Sequence, residues 1–382
     1  MKNGNFFIGY TDLFYAGGFE PKIERVYNSK TVYNGIFGWG WGNEYEAYLT
    51  VTADGSVIVH EYGGGAENRF SPKAFDAKEL NAAVDQILQA AKTLGMFGAE
   101  AQYKDYRKKL LEDATHRNNE WEKFIAKGLV KPRELSVGTN LFSSRFSYQV
   151  ITKLINMYIR TSDSGKIEEF DLHGKLKKIK DRNNNYIMLY HKDDGGLEKI
   201  VDNFNRKIFV SLNSNGKIIK IQGENKKETI YQYNDKNDLV YSKDAEGNIY
   251  KYKYDEKHNM TEIEYSDNKK MQMTYYPPAQ YDNIKSVKDK EGTLTEYVYT
   301  IDPKDQGHYS IESKITYPSD SKVDSKERTV ASKPVISTAK YEYFTKKRAD
   351  GTEWTQKMIS QVESDKTETT YNEHSGLPLL IK

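Results

Sequence analysis

The sequence predicts a mainly β fold, a repeat array of stacked β-hairpins forming an antiparallel sheet, interrupted by an inserted α-helical hairpin. Three observations carry this. Hydrophobic residues return every 21 positions from Leu176 to Met260, tyrosines alternate in GNIYKYKY (247–254), and a stripe of helical period breaks the β pattern after Asp76. The 30 tyrosines, within 13% aromatic content, separate the chain from disordered ones despite 37% hydrophobic residues and a mean hydropathy of −0.81.

Composition excludes several classes of function. Lys and Arg total 57 against 55 Asp and Glu, so no net field draws nucleic acid or an anionic membrane. Lysine runs such as Lys175-Leu176-Lys177-Lys178 and Lys346-Lys347-Arg348 read as solvated strand faces that discourage edge pairing. Without cysteine there is no disulfide and no cysteine-based zinc or nucleophile chemistry, a composition that fits an exported protein. The opening MKNGNFFIGYTDLFY lacks the basic-then-apolar order of a signal peptide, and no run reaches the ~18 apolar residues of a membrane span.

Residues 1–72 read as an N-terminal β module. Residues 49–52 and 57–60 flank an Ala53-Asp54-Gly55 turn as a hairpin, and Gly63-Gly64-Gly65 marks another turn. Glycines alternating with Trp39 and Trp41 place backbone tightly beneath indoles. Those two tryptophans serve either an aromatic core or a glycan or partner surface.

Residues 73–130 switch to helical period. Leu80, Val84, Ile87, Leu88, Ala91 and Leu94 form one stripe, capped by Asp76 with Glu79 and stopped at Gly95. A second helix starts near Ala99 and uses Tyr103, Tyr106, Leu110, Ala114, Trp121, Phe124 and Ile125. The pair is expected to plug the end of the array, or else to present a partner surface.

Residues 131–300 hold the array. Leu176, Leu197, Ile218, Leu239 and Met260 form one column, and Ile179, Ile200, Ile221 and Ile263 a second, which Ser242 interrupts. Asp181, Asp202 and Asp244 make a third, from which Gly223 and Tyr265 depart. On the following strand, His191, Leu212, Tyr233, Tyr254 and Tyr275 share one phase, and Leu189, Val210, Tyr231, Tyr252 and Met273 another. After an insertion around TYYPPAQYDN the grid resumes 24 residues on, so six units span about 174–300. Alternation puts Tyr250, Tyr252 and Tyr254 on the buried face and Lys251 and Lys253 on the other. Turn positions carry Asn184, Asn205, Gly247, Asn268 and Gly292, residues that accept positive φ, with Lys226 the exception. A lone hairpin cannot bury its face, so the hairpins must stack.

Residues 301–382 are expected to open with an irregular loop, since 300–338 is rich in Ser, Lys, Asp and Pro. Alternation returns over 339–360 around Ala349-Asp350-Gly351. The end, TTYNEHSGLPLLIK, begins a further repeat at Tyr371-Asn372 and stops before its second strand, as expected for a piece of a longer protein with an open sheet edge.

The unit NDLVYSKDAEGNIYKYKYD (237–255) resembles the YD repeats of Rhs proteins, wall-associated proteins and teneurins. The N-terminal run Gly4-Asn5-Phe6, Asp12, Gly17-Gly18, Arg25-Val26-Tyr27-Asn28-Ser29 and Tyr33-Asn34-Gly35-Ile36-Phe37-Gly38-Trp39-Gly40-Trp41 is similar to the module preceding those repeats in bacterial Rhs proteins. The resemblance covers about 4–70 and 158–300. It implies a spiralling, shell-like sheet that encloses a cargo polypeptide, which can be a downstream part of the same protein, or forms a scaffold that is secreted or on the cell surface. The likeness to teneurins also permits an adhesin binding glycan or a cell-surface protein through exposed aromatics. Rhs self-cleavage does not carry over, because Asp302-Pro303 lacks the glycine-leucine continuation of that motif.

No chemistry competes with this reading. The seven histidines form no HExxH or HxH spacing, and there is neither a G-x-S-x-G elbow nor a P-loop. His116 and Glu120 share a helix face, the ordinary spacing of a surface contact. His191, His173 and His258 fall in the tyrosine column or near repeat turns. The expectation is therefore a non-catalytic segment with no catalytic, metal-binding or cofactor-binding residues, no nucleic-acid partner and no membrane insertion.

Overall fold

The computed structural model describes residues 3–17, 19–143, 145, 148–224, 226–280, 282–318, 321–323, 329–331 and 336–382. Gly18, Tyr281 of the insertion and parts of the expected loop lie outside the described residues. The chain forms an open antiparallel sheet of 24 strands in sequence order, from Tyr48–Val51 at one edge to Pro378–Ile381 at the other. The sheet curls until its first strand touches the turn before Leu176, through a bridge between Tyr48 and Lys175 and a 2.8 Å bond from Leu49 N to Gly174 O. That seam is a point contact, so the sheet remains a spiral.

The 21-residue grid has a local cause. Most of the turns begin with an aspartate or asparagine whose side-chain oxygen accepts the N–H groups two and four residues on, as Asp181, Asp202, Asn213, Asp244 and Asp289 do, whereas Lys192, Gly223 and Tyr265 open turns of the same backbone pattern without that acceptor. Three residues after each, the backbone enters positive φ, at Asn184, Asn205, Gly216, Gly247 and Gly292. Lys226, the exception in sequence, still takes φ +61, in a turn closed by main-chain bonds from Lys226 N to Gly223 O and from Gly223 N to Lys227 O.

Each repeat's pairing then slips by one residue, for example where Ser211 pairs with Lys220 but Leu212 pairs with Ile218. The slip frees the carbonyl of the residue that opens the next strand. Tyrosine repairs it: the hydroxyls of Tyr233, Tyr254, Tyr275 and Tyr299 donate to the oxygens of Ile218, Leu239, Met260 and Ile284, at 2.8 to 3.0 Å. The tyrosine column is a device for satisfying a carbonyl that each bulge strands.

The inner face of the spiral is filled by the N-terminal module. Its small sheet of Phe7–Phe14, Lys22–Asn28 and Trp41–Asn43 places Leu13, Ile23, Tyr27, Phe37 and Trp41 in one core with Leu176, Ile200, Ile221, Tyr231, Tyr252 and Ile263. The helices, expected to plug the array, keep a core of their own with Ala53 and Val130. They number three: Ala77–Thr93 (α1), Glu100–Glu112 (α2) and Ala114–Ala126 (α3). Asp76 caps α1 and Gly95 follows it at φ +65, as the sequence predicts. The predicted second helix breaks at Asp113, which leaves α2 in an extended conformation and uses its carboxylate to cap the nitrogen of His116 in α3.

The region expected as a loop from Thr300 differs most. Leu294–Asp302, Asp305–Thr316 and Ile336–Lys347 are long paired strands. Their polar composition reflects strands with half-solvated faces rather than a loop. The Asp302-Pro303 step makes their hairpin turn.

Candidate functional site

The junction between module and spiral centres on Arg25. Its guanidinium, with no exposed surface, donates to Asp12 Oδ2 (2.6 Å) and to Ser242 Oγ (2.8 Å). Tyr231 donates to the same carboxylate oxygen at 2.7 Å, and the Arg25 charge lies 4.6 Å from the Trp41 ring and 4.9 Å from Tyr10. Burial pushes the Asp12 carboxyl up, against the pull of Arg25. Ser242, the residue that breaks the isoleucine column, is the position that accepts this cation. An isoleucine there would leave the guanidinium with one partner fewer in a site without water access.

Main-chain groups complete the contact. The module takes up N–H groups at the starts of repeat strands: Ile218 N donates to Ile36 O (2.8 Å), Ile284 N to Gly4 O (2.9 Å) and Met260 N to the Tyr27 hydroxyl (2.8 Å). The bulge that strands a carbonyl for tyrosine therefore also presents an N–H to the module.

The two tryptophans named from sequence part company here. Trp41 is fully buried, its indole N–H donating 2.9 Å to Tyr254, so no ligand reaches its face. Trp39 is half-buried, stacked on His258 at 4.5 Å and bonded through its indole to Lys236 O. His258 in turn meets Asp238 at 2.6 Å. In the sequence Asp12 and Arg25 stand out only as members of the N-terminal motif, and the break in the isoleucine column at Ser242 marks their partner.

A second junction joins the start and end of the sheet through α3. Arg117, 1% exposed, donates to Leu110 O (2.8 Å), Asp54 Oδ2 (3.0 Å) and Asp350 O (2.7 Å). It thereby ties the 53–55 turn to the 348–351 turn. Beside it opens a cavity of about 1090 Å³, with His60, Glu67, Asn118, Glu122, Arg348 and Trp354 on its walls. These side chains are already engaged with one another or with main chain: His60 stacks on Tyr48 and bonds Thr50, Asn118 bonds Glu122, and Arg348 bonds Glu373 O. His116 and Glu120 both meet Tyr106, one through its ring and one through the hydroxyl. Among the described residues, no group of three or more His, Asp or Glu is placed to hold a metal, and no helix is long and apolar enough to cross a membrane.

Residues 1–70 match the family described as Domain of unknown function (DUF6531). No curated protein matches the chain. Similar solved structures include TcdB2-TccC3 without hypervariable C-terminal region, at 10% identity and TM-score 0.33, covering 98% of this chain and 27% of that one. Others are TcdB2-TccC3-TEV (10%, TM-score 0.32, 99% and 21%) and a Photorhabdus luminescens Tc holotoxin pore (9%, TM-score 0.31, 99% and 21%). This chain thus spans between 21% and 27% of the length of those three.

Proposed function

We propose that this chain is a non-catalytic wall segment of an Rhs/YD-type shell or scaffold, exported or on the cell surface, whose N-terminal module seals the inner face of the spiral beside an enclosed polypeptide. The observation that carries the reading is the shared core: the tyrosine and isoleucine columns are spent on gripping the module and on repairing each bulge. Supporting it, Arg25, Arg117 and His258 are each engaged in structural contacts, with Asp12, Asp54 and Asp238.

The test is the size, location and protease resistance of the native protein, detected with an antibody against residues 174–300 in cells, membranes and medium. The expected result is an extracellular or surface species larger than 44.1 kDa that protects an associated fragment from protease. A cytosolic species protecting nothing contradicts it. Binding on a glycan array that Trp39→Ala abolishes at unchanged melting temperature would favour the adhesin reading instead.

A further inference from the structure

Beside the Arg25 junction, the packing leaves three groups unexplained. Lys217, 6% exposed, extends its amine to the main-chain oxygens of Asn34 (3.0 Å) and Gly35 (2.6 Å) rather than to a carboxylate. Glu46 accepts the Tyr33 hydroxyl (3.0 Å) and Ile36 N (2.8 Å) on Oε1, while its buried Oε2 accepts no hydrogen bond from the protein. Asn34 Oδ1 is likewise buried without a partner. Native structures rarely leave such oxygens unpaired.

Gly35 draws the three together. Its oxygen holds the lysine, it follows Asn34 in the chain, and a Cβ on it would fall 2.2 Å from Glu46 Oε1. Glycine is what lets the carboxyl approach. Burial lowers the basicity of the Lys217 amine and raises the Glu46 carboxyl from the ordinary 4.5 to about 7. Both shifts favour the neutral forms, an amine with a free lone pair and an acid able to carry a proton, which acyl transfer to nitrogen uses.

We propose that Lys217 and Asn34 join in an intramolecular isopeptide bond, with Glu46 as the proton carrier. The lone pair of Nζ attacks Asn34 Cγ and the Cγ–Nδ2 bond breaks. The surplus proton of Nζ passes through Glu46 to Nδ2, and ammonia leaves. No oxidant, reductant or metal is consumed. The amine lies 3.0 Å from the main-chain oxygen of Asn34, and bond formation requires the Asn34 side chain to move so that Cγ reaches Nζ. The bond would tie the N-terminal module to the spiral across 183 residues of chain.

Intact mass of the denatured full chain tests this directly. The expected mass is below the sequence mass by one ammonia, and proteolysis releases a branched peptide joining the segments around Asn34 and Lys217. Lys217→Met, Glu46→Gln and Asn34→Ala should each return the mass to its sequence value. If any variant fails to fold, the wild-type mass and peptide map still decide. The unaltered sequence mass, or a lost ammonia without the branched peptide, as from a succinimide at Asn34-Gly35, overturns the proposal.

Discussion

Arg25 and Arg117 are both buried and both pair with an aspartate, yet they join the molecule differently. Arg25 sits inside a cage of aromatic rings, and Asp12 depends on it and on Tyr231 alone. Arg117 reaches main-chain oxygens on two sides, and its partner Asp54 keeps a second cation, Arg69. The Arg25 junction is made of side chains brought together by the repeats, so its register is fixed by where Ser242 falls. The Arg117 junction fastens turns that are already formed. One specifies how the module seats, and the other ties the start of the sheet to its end.

If that contrast is right, Arg25→Met is the most damaging substitution. It strands the buried Asp12 carboxylate and should cost about 3–5 kcal/mol in chemical denaturation. The double variant Arg25→Met with Asp12→Asn should recover much of that loss, since removing both charges leaves neither unpaired. Equal losses in single and double variants would erase the distinction between the junctions.

Arg117→Met should cost less, about 1–2 kcal/mol, because Arg69 still serves Asp54. Its effect should be local, with faster hydrogen exchange at Asp350 and Gly351 and unchanged exchange at the Arg25 junction. Faster exchange at both would show that the two are one cooperative unit.

His191 sharpens the account of the tyrosine column. It holds the position of Tyr233 and Tyr254 but leaves Nδ1 without a partner, and burial, with Lys175 and Lys177 nearby, lowers its pKa from 6.5 to about 4. A histidine lowered on folding contributes stability above pH 6.5 that is lost as pH falls through about 4. His191→Tyr should reach the oxygen of Leu176, add about 1 kcal/mol, and flatten the melting temperature between those pH values. The smallest effect belongs to Lys236→Ala: its partner Glu256 is fully solvated, so the melting temperature should not change.

The repeat, its buried face and its turns were legible because period and turn chemistry are local properties. The columns through Leu176 and Ile179 are buried as read, and even Lys226 keeps the turn that asparagine or glycine makes elsewhere. The break at Asp113 was not legible, since the apolar stripe runs on across it. Nor were the long strands after Thr300, where alternation of polar with half-buried residues resembles a loop in composition. Why tyrosine recurs was hidden for another reason: each hydroxyl serves a carbonyl 15 residues earlier, freed by a pairing slip that no single segment reveals. The Arg25 site joins residues 217 apart in sequence, and its traces, the motif residues Asp12 and Arg25 and the column break at Ser242, carried no sign that they meet.

The N-terminal module and the repeat sheet form one folded unit, and native-state hydrogen exchange on the full chain distinguishes this from two independent units. Amides of Leu13, Ile23 and Tyr27 should exchange as slowly as those of Ile200, Ile221 and Ile263, through the same global opening. Exchange of the module by a separate, low-energy opening, with the repeat strands still protected, would contradict it.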